Sequence, residues 1–378
     1  MHSEKQGKLL LAIAGLNLAA AIVLLLTGNL PAAGLPLIIV FTAGAIAVRS
    51  FENYRVFAFT LWVFAIVVAA MFYPQYVRNV GGFDTQAWIV PFVQLIMFGM
   101  GTALTVGDFA EVLKEPRSVL AGIIGQFAIM PLVAVSITIL LDFPPEVAAG
   151  IILVGSVPGG VASNVMTFIA RGNLALSVTL TSCATVLAPL LTPFLMTTLA
   201  GQFVPISFVT MMGSIFEMVV LPIGAALLLN ALLRGRRTAL HQHMPAISMV
   251  LLVLVVGFIT AAGRENLLVI GPLLIIAVIL HSTAGYTIGY TLGRIVRLDE
   301  ASCRTIAIEV GMQNGGLAGG LATEMGRAAT MGLAPAVFSS WQNISGSVLA
   351  SWWRGRPASP GPAEPEEASI AVPASVRG

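Results

Sequence analysis

The sequence predicts an all-α polytopic membrane protein: a ten-helix inverted-repeat (5+5) unit with an extra N-terminal two-helix hairpin. Three observations lead there. Hydrophobic residues make up 57% of the chain and charged residues 10%, with a mean hydropathy of +0.93, far outside the range of soluble domains. Twelve apolar stretches of roughly spanning length run near residues 8–28, 32–49, 56–73, 87–106, 118–141, 146–170, 174–200, 207–233, 245–262, 267–293, 303–325 and 329–352. Two of them are interrupted at the same ordinal position in each half of a ten-span unit, the best sequence pointer to inverted repeats with a site at the bilayer midplane.

Charge orients the spans. With the N-terminus cytoplasmic, 16 of the 19 basic residues fall on the cytoplasmic side, among them Lys5, Lys8, Arg49, Arg55, Lys114, Arg117, Arg171, Arg234, Arg236, Arg237, Arg304 and Arg377. Only Arg78, Arg264 and Arg327 fall on the other side. The bias follows the positive-inside rule and predicts a multi-pass protein of the cell inner (plasma) membrane with both termini cytoplasmic. A net charge of +2 gives no reason to expect a nucleic-acid partner.

Residues 1–54 read as a hairpin added in front of the unit. Lys5 and Lys8, an apolar run and Pro31-Ala32-Ala33 have the outline of a signal peptide. At about eighteen residues, however, the run is longer than a typical h-region, and removing it would leave an odd number of spans. FENYRV at 51–56 is a polar joint to the unit at 55–354, divided into repeats of about 55–200 and 207–354. From 355 to 378 the chain is rich in Pro, Ala and Glu and reads as a disordered cytoplasmic tail.

The first interrupted stretch is GSVPGGVASNVMT at 155–167, where a proline and two glycines break a helix before Ser163 and Asn164. The second is EVGMQNGGLAGG at 309–320. Glu309 is the sharper signal, because an ionisable group at the bilayer centre costs about 2.5–3.5 kcal/mol on insertion scales and is retained mainly where it faces a functional cavity.

GSVPGGVASNVMTFIARGNLALSVTLTS at 155–182, EVGMQNGGLAGGLA at 309–322 and WQNISGS at 341–347 closely resemble the bile acid:sodium symporter family, over roughly residues 55–354. The resemblance implies core and panel domains and two broken helices that cross beside two sodium ions. Carried over by position, sodium site 1 would use Ser163, Asn164, Ser177, Thr181 and Glu309. Site 2 would use Gln126, Glu309 and Gln313 with the carbonyls of Val310 and Met312. Substrate would meet Val161, Ala162, Asn314, Gly315, Gly316 and Asn343.

The residues themselves agree with that assignment. Ser177 and Thr181 are four apart and share a helix face. Hydroxyl, amide and carboxylate oxygens suit a hard cation, and the absence of His or Cys from the set argues against a transition metal. Taken singly, each has a plainer role, with Ser and Thr bonding their own i−4 carbonyl and Asn or Gln joining helices. Two Na+ against one carboxylate leave a positive centre, and half-helix N-termini add to it, so a carboxylate or sulfonate anion is expected.

Three departures bear on the substrate: Val161 where many relatives have Thr, Gln342 where His is usual in close bacterial relatives, and Gly315 where Ser is common. Glu217 lies inside a span and reads as a carboxylate paired with a neighbour or facing water near a cavity mouth, with lining the substrate cavity or binding a proton as the alternative, and His281 reads as an interhelical hydrogen-bond donor rather than a relay. Cys183 and Cys303 form no disulfide or metal framework. No nucleophile–base pair or metal cluster suggests an enzyme, and no cofactor is expected beyond the coupling ions. The function expected is sodium-coupled symport of a small organic anion by alternating access. A proton-coupled or efflux carrier of the same superfamily, or a non-transporting sensor, stands as the alternative.

Overall fold

The apolar stretches are helices in the computed structural model of the chain, which describes residues 2–51, 54–55, 57–105, 107, 115–233 and 239–356. Lys114, Arg234, Arg236, Arg237, Arg377, part of the 51–56 joint and the tail from Pro357 onward lie outside that set. Among the described residues eight helices are long and apolar enough to cross a membrane.

The N-terminal hairpin is α1 (His2–Leu26) and α2 (Leu30–Val48), which pack on each other, with α2 also packing on α3 (Phe57–Phe72). After the short α4 (Pro74–Arg78) comes a strand pair that the all-α expectation did not include, β1 (Asn79–Val80) against β2 (Phe83–Asp84). Gly81 and Gly82 close it with φ of +61° and +87°, the backbone that a two-residue hairpin turn demands. Then follow α5 (Ile89–Ala103), α6 (Pro116–Ile124) and α7 (Met130–Leu141), α8 (Pro145–Ser156), α9 (Val161–Ile169) and α10 (Leu174–Leu195). The chain continues through α11 (Phe208–Ile215), α12 (Leu221–Leu232), α13 (Ala239–Ala262), α14 (Arg264–Ile295), α15 (Glu300–Gly311), α16 (Gly315–Glu324) and α17 (Leu333–Arg354).

Widened π turns join α6 to α7 at Gly125–Ile129, join α11 to α12 at Phe216–Val220 and end the α10 span at Met196–Ala200. Each has a proline beside it, Pro131, Pro222 and Pro193, whose missing N–H and ring clash disturb the i−4 ladder. Gln126 and Glu217 both sit in such turns.

Hydrophobic burial adds little between helices in lipid, so close backbone packing matters more. Gly285, Gly289 and Gly293 of α14 lie against Gly311, Ala307 and Cys303 of α15, and this small-residue stripe brings the two helices together. One group of helices is α5 on α12 and α13, with α13 on α3. Another is α7 on α8 and α14, with α15 on α10 and α14. They meet where α16 lies against α5 and α13.

At one end of the bundle Arg304 is buried at 2% exposure. It donates to Glu300 at 2.9 Å and to the carbonyls of Ala170, Trp353 and Arg356 at 3.1–3.2 Å, a cation placed at the C-terminal ends of α9 and α17. At the opposite end Arg327 pairs with Glu146 and Arg264 with Glu265, so two of the three basic residues assigned to that side are neutralised locally.

Candidate functional site

Both interrupted stretches break as the sequence indicates. The first pair, α8 and α9, is separated at 157–160, and the second, α15 and α16, at 312–314. Backbone freed at this depth needs partners inside the protein. The two breaks supply them to each other: Gly159 and Gln313 form an antiparallel bridge, Asn314 N–H donates to the Pro158 carbonyl at 2.9 Å, and Gly160 N–H to the Met312 carbonyl at 3.3 Å. The approach is close enough to favour glycine. A Cβ at Gly159 would lie 3.0 Å from Glu309 Oε2, and one at Gly160 3.1 Å from the Gln313 carbonyl.

Glu309, on the last turn of α15, is 5% exposed and points into this crossing. Ser163 and Ser177 donate to its Oε1 at 2.6 and 2.5 Å, and Thr181 to its Oε2 at 3.0 Å. Each of these three hydroxyls has a second oxygen within reach: Gly160 O at 2.6 Å, Asn164 Oδ1 at 2.7 Å and Ser177 O at 3.0 Å. A hydroxyl carries one proton. With Thr167 Oγ1 also 3.3 Å from the Ser177 hydroxyl, four hydroxyl protons serve seven oxygen contacts, and the cluster is rich in the hydroxyl, amide, carbonyl and carboxylate oxygens that a hard cation takes as ligands.

The residues of the second predicted set lie on two spans, Gln126 between α6 and α7 and the others at the end of α15 and in the break after it. Gln126 Nε2 lies 2.5 Å from both the Val157 carbonyl and Gln313 Oε1, and Gln313 Nε2 donates to the Val310 carbonyl at 2.7 Å. The Met312 carbonyl accepts Gly160 N–H in the crossing. A cavity of about 10 Å³, room for one water-sized particle, lies between Gln126 and Glu309 and is also bordered by Gly122, Gly159 and Leu180. A larger cavity of about 670 Å³ lies elsewhere, beside the Glu146–Arg327 pair at the far end of the bundle.

The substrate candidates are brought to the same place with different partners. Val161 begins α9, and its side chain is outside the described set; Ala162 is half-buried. Asn314 caps α16 by accepting Leu317 N–H at 3.0 Å, which leaves its Nδ2 facing Met97 Sδ at 4.0 Å. Gly315 lies against Ser339, Gly316 against Leu252, and Asn343 donates to the Ser339 carbonyl while its Oδ1 stays buried. Glu217 is exposed, and its backbone carbonyl accepts from Gln94 at 3.4 Å. His281 is buried edge-on against Phe338, with ring centroids 4.9 Å apart.

The model of the sodium bile acid symporter family matches residues 90–270. The sodium-dependent transporter YocS of Bacillus subtilis is 39% identical over 307 residues, covering 81% of this chain and 94% of its own. The chloroplastic sodium/metabolite cotransporter BASS1 of Arabidopsis thaliana is 37% identical over 297 residues, 79% of this chain and 73% of its own. The chloroplastic BASS2 of Oryza sativa subsp. japonica is 33% identical over 298 residues, 79% and 70%.

The chain belongs to the sodium bile acid symporter family.

As a sodium bile acid symporter family protein it is a membrane transporter and not an enzyme. The resemblance drawn from the break motifs is thereby shown. Some participants around this family member's crossing had gone unnoticed. Thr167 lies 3.3 Å from the Ser177 hydroxyl, and its i+4 spacing from Ser163 was a readable signal. The carbonyls of Val157 and Gly160 had none, since backbone contributions leave no mark in composition.

Proposed function

We propose that the chain couples sodium entry to uptake of a small organic anion by alternating access. The observation that carries this reading is the cluster around Glu309, where four hydroxyl protons serve seven oxygen contacts inside a crossing of two broken helices. A monovalent hard cation suits these hydroxyl, amide and carboxylate oxygens, and the relatives named above are sodium-dependent transporters or sodium/metabolite cotransporters.

In this reading site 1 is Ser163, Asn164, Ser177, Thr181 and Glu309. Site 2 is Gln126, Glu309 and Gln313 with the carbonyls of Val310 and Met312. Two Na+ and one carboxylate leave one net positive charge. The N-termini of α9 and α16 add their dipoles while the C-terminal carbonyls of α8 and α15 face the cations. An anion completes the charge balance near Val161, Ala162, Asn314, Gly315, Gly316 and Asn343.

The ten spans from α3 onward, with the short α4 left out and α6–α7, α8–α9, α11–α12 and α15–α16 each counted once, are read as two inverted repeats, about 55–200 and 207–354, sorted into core and panel. Residues 1–54 form an added hairpin. The spans cross the cell inner membrane with both termini in the cytoplasm. In that orientation the outer half-helix α16 is covered by panel side chains, with Val93 and Met218 against Gly320, Leu252 against Gly316 and Ile259 against Gly319. The inner half-helix α9 leaves Val165 54% and Phe168 69% exposed.

Purified protein in liposomes tests the reading. Labelled bile acids, pantoate-like acids and 2-keto acids are offered with an inward Na+ gradient or with choline. Uptake of at least one acid driven only by sodium supports symport. Uptake driven by a proton gradient, or none under any gradient, supports the proton-coupled, efflux or sensor readings instead.

A further inference from the structure

Gln342 on α17 is 4% exposed, and its side-chain amide is joined twice to one backbone unit. Its Oε1 accepts the Gln313 N–H at 2.8 Å, and its Nε2 donates to the Gln313 carbonyl at 2.9 Å. On its other edge the same segment, 312–314, exchanges backbone hydrogen bonds with 158–160. The second break is thus the middle of three extended layers, with the first break on one side and the Gln342 amide serving as a third strand on the other. An amide can do this because it presents one donor and one acceptor side by side, as a peptide unit does.

The remaining contacts of α17 at this place, Gly346 beside the Met312 side chain and Ser339 beside Gly315, are close packing without such directionality. Gln313 also carries the side chain assigned to site 2, and Asn343, assigned to the anion, follows Gln342 directly.

We propose that Gln342 is a positioning residue: through its double hydrogen bond to the Gln313 backbone it transmits cation occupancy at the crossing to α17 and so to Asn343. The inference rests on the sodium reading above. Any cation that moves the Gln313 backbone must either move α17 with it or break both bonds, and a directional buried pair favours the first course.

Trp341, adjacent to Gln342, is a built-in reporter of α17. The full chain is labelled with 5-fluorotryptophan, and the Trp341 resonance is identified by its loss in Trp341→Phe. NaCl is titrated against choline chloride at constant ionic strength, following the Trp341 fluorine shift and, separately, sodium-dependent thermal stabilisation. The wild type is expected to show both. Gln342→Met keeps the shape without the hydrogen bonds, and Gln342→Asn is too short to reach both groups. These two are expected to keep the stabilisation within tenfold of the wild-type sodium concentration while losing most of the Trp341 shift. Should the Met variant fail to fold, the Asn variant carries the comparison. A Trp341 response that persists in the variants, or is missing in a wild type that sodium stabilises, overturns the inference. Loss of stabilisation together with the shift also overturns it, since Gln342 would then belong to the cation site itself. If sodium leaves the wild type unstabilised, the sodium reading fails first.

Discussion

Glu309→Gln keeps the side chain's shape and removes its charge. In the structure, Glu309 receives three hydroxyl contacts at 2.5–3.0 Å, and a cation held by the same oxygens would sit within about 4 Å of the carboxylate. At an effective dielectric of about 20, a unit charge pair at that distance is worth about 4 kcal/mol, about a thousandfold in affinity. The amide retains one carbonyl oxygen, so the expected loss in sodium affinity lies between about a hundredfold and a thousandfold. Thermal unfolding in detergent reads this directly. At a sodium concentration 100 times the wild-type dissociation constant, binding stabilises the wild type by about 2.7 kcal/mol, and a site about 300-fold weaker gains only about 0.2 kcal/mol. In choline buffer the variant should be at least as stable as the wild type, because a buried charge has been removed. If Glu309→Gln kept the full sodium-dependent rise in unfolding temperature, the placement of the cation at this carboxylate would be refuted.

Gln126→Ala should leave site 1 in place and lower the Hill coefficient for sodium in uptake from about 2 towards 1; an unchanged coefficient would remove Gln126 from the cation path. Gly160→Val should abolish uptake, because even its Cβ would approach the Gln313 carbonyl to 3.1 Å, whereas Gly213→Ala, with nothing within 4 Å, should transport normally. Arg304→Ala should destabilise the protein by about 1–3 kcal/mol by removing the donor shared by the Ala170, Trp353 and Arg356 carbonyls and one partner of Glu300, which keeps Tyr290 and Arg294, seen as a fall in unfolding temperature with or without sodium. Val80→Cys in the β1–β2 hairpin, in a background lacking Cys183 and Cys303, should react with an impermeant maleimide added outside intact cells. Reaction only after lysis would invert the proposed topology.

Much of this architecture was legible because a bilayer leaves few choices. Apolar length marks each span, and a proline with glycines or a buried carboxylate inside a span stands out against it, so both breaks and Glu309 could be read directly. Three kinds of feature were not. The Gly285–Gly289–Gly293 stripe was written in the sequence as small residues every fourth position, but it says which helices touch only once α15 is known to lie opposite. Arg304 counts as a loop charge in a topology tally, yet it is buried among helix ends, because carbonyl groups that attract it are invisible in sequence. The local contacts of Asn314 and Met312 were hidden for the same reason. The Asn314 oxygen caps α16 and the Met312 carbonyl joins the crossing, both set by local backbone demands. Gln342 showed in the sequence only as a departure from relatives, and its double bond to the Gln313 backbone emerged with the fold.

The most direct test of sodium coupling at the crossing is the current carried by reconstituted protein when a transported monocarboxylate is added on the outer side. Two Na+ moving inward with one monovalent anion carry one net positive charge per cycle. The account predicts an inward positive current that requires sodium and disappears in Glu309→Gln. A sodium-independent current, or sodium-driven uptake that is fully retained in Glu309→Gln, would contradict it.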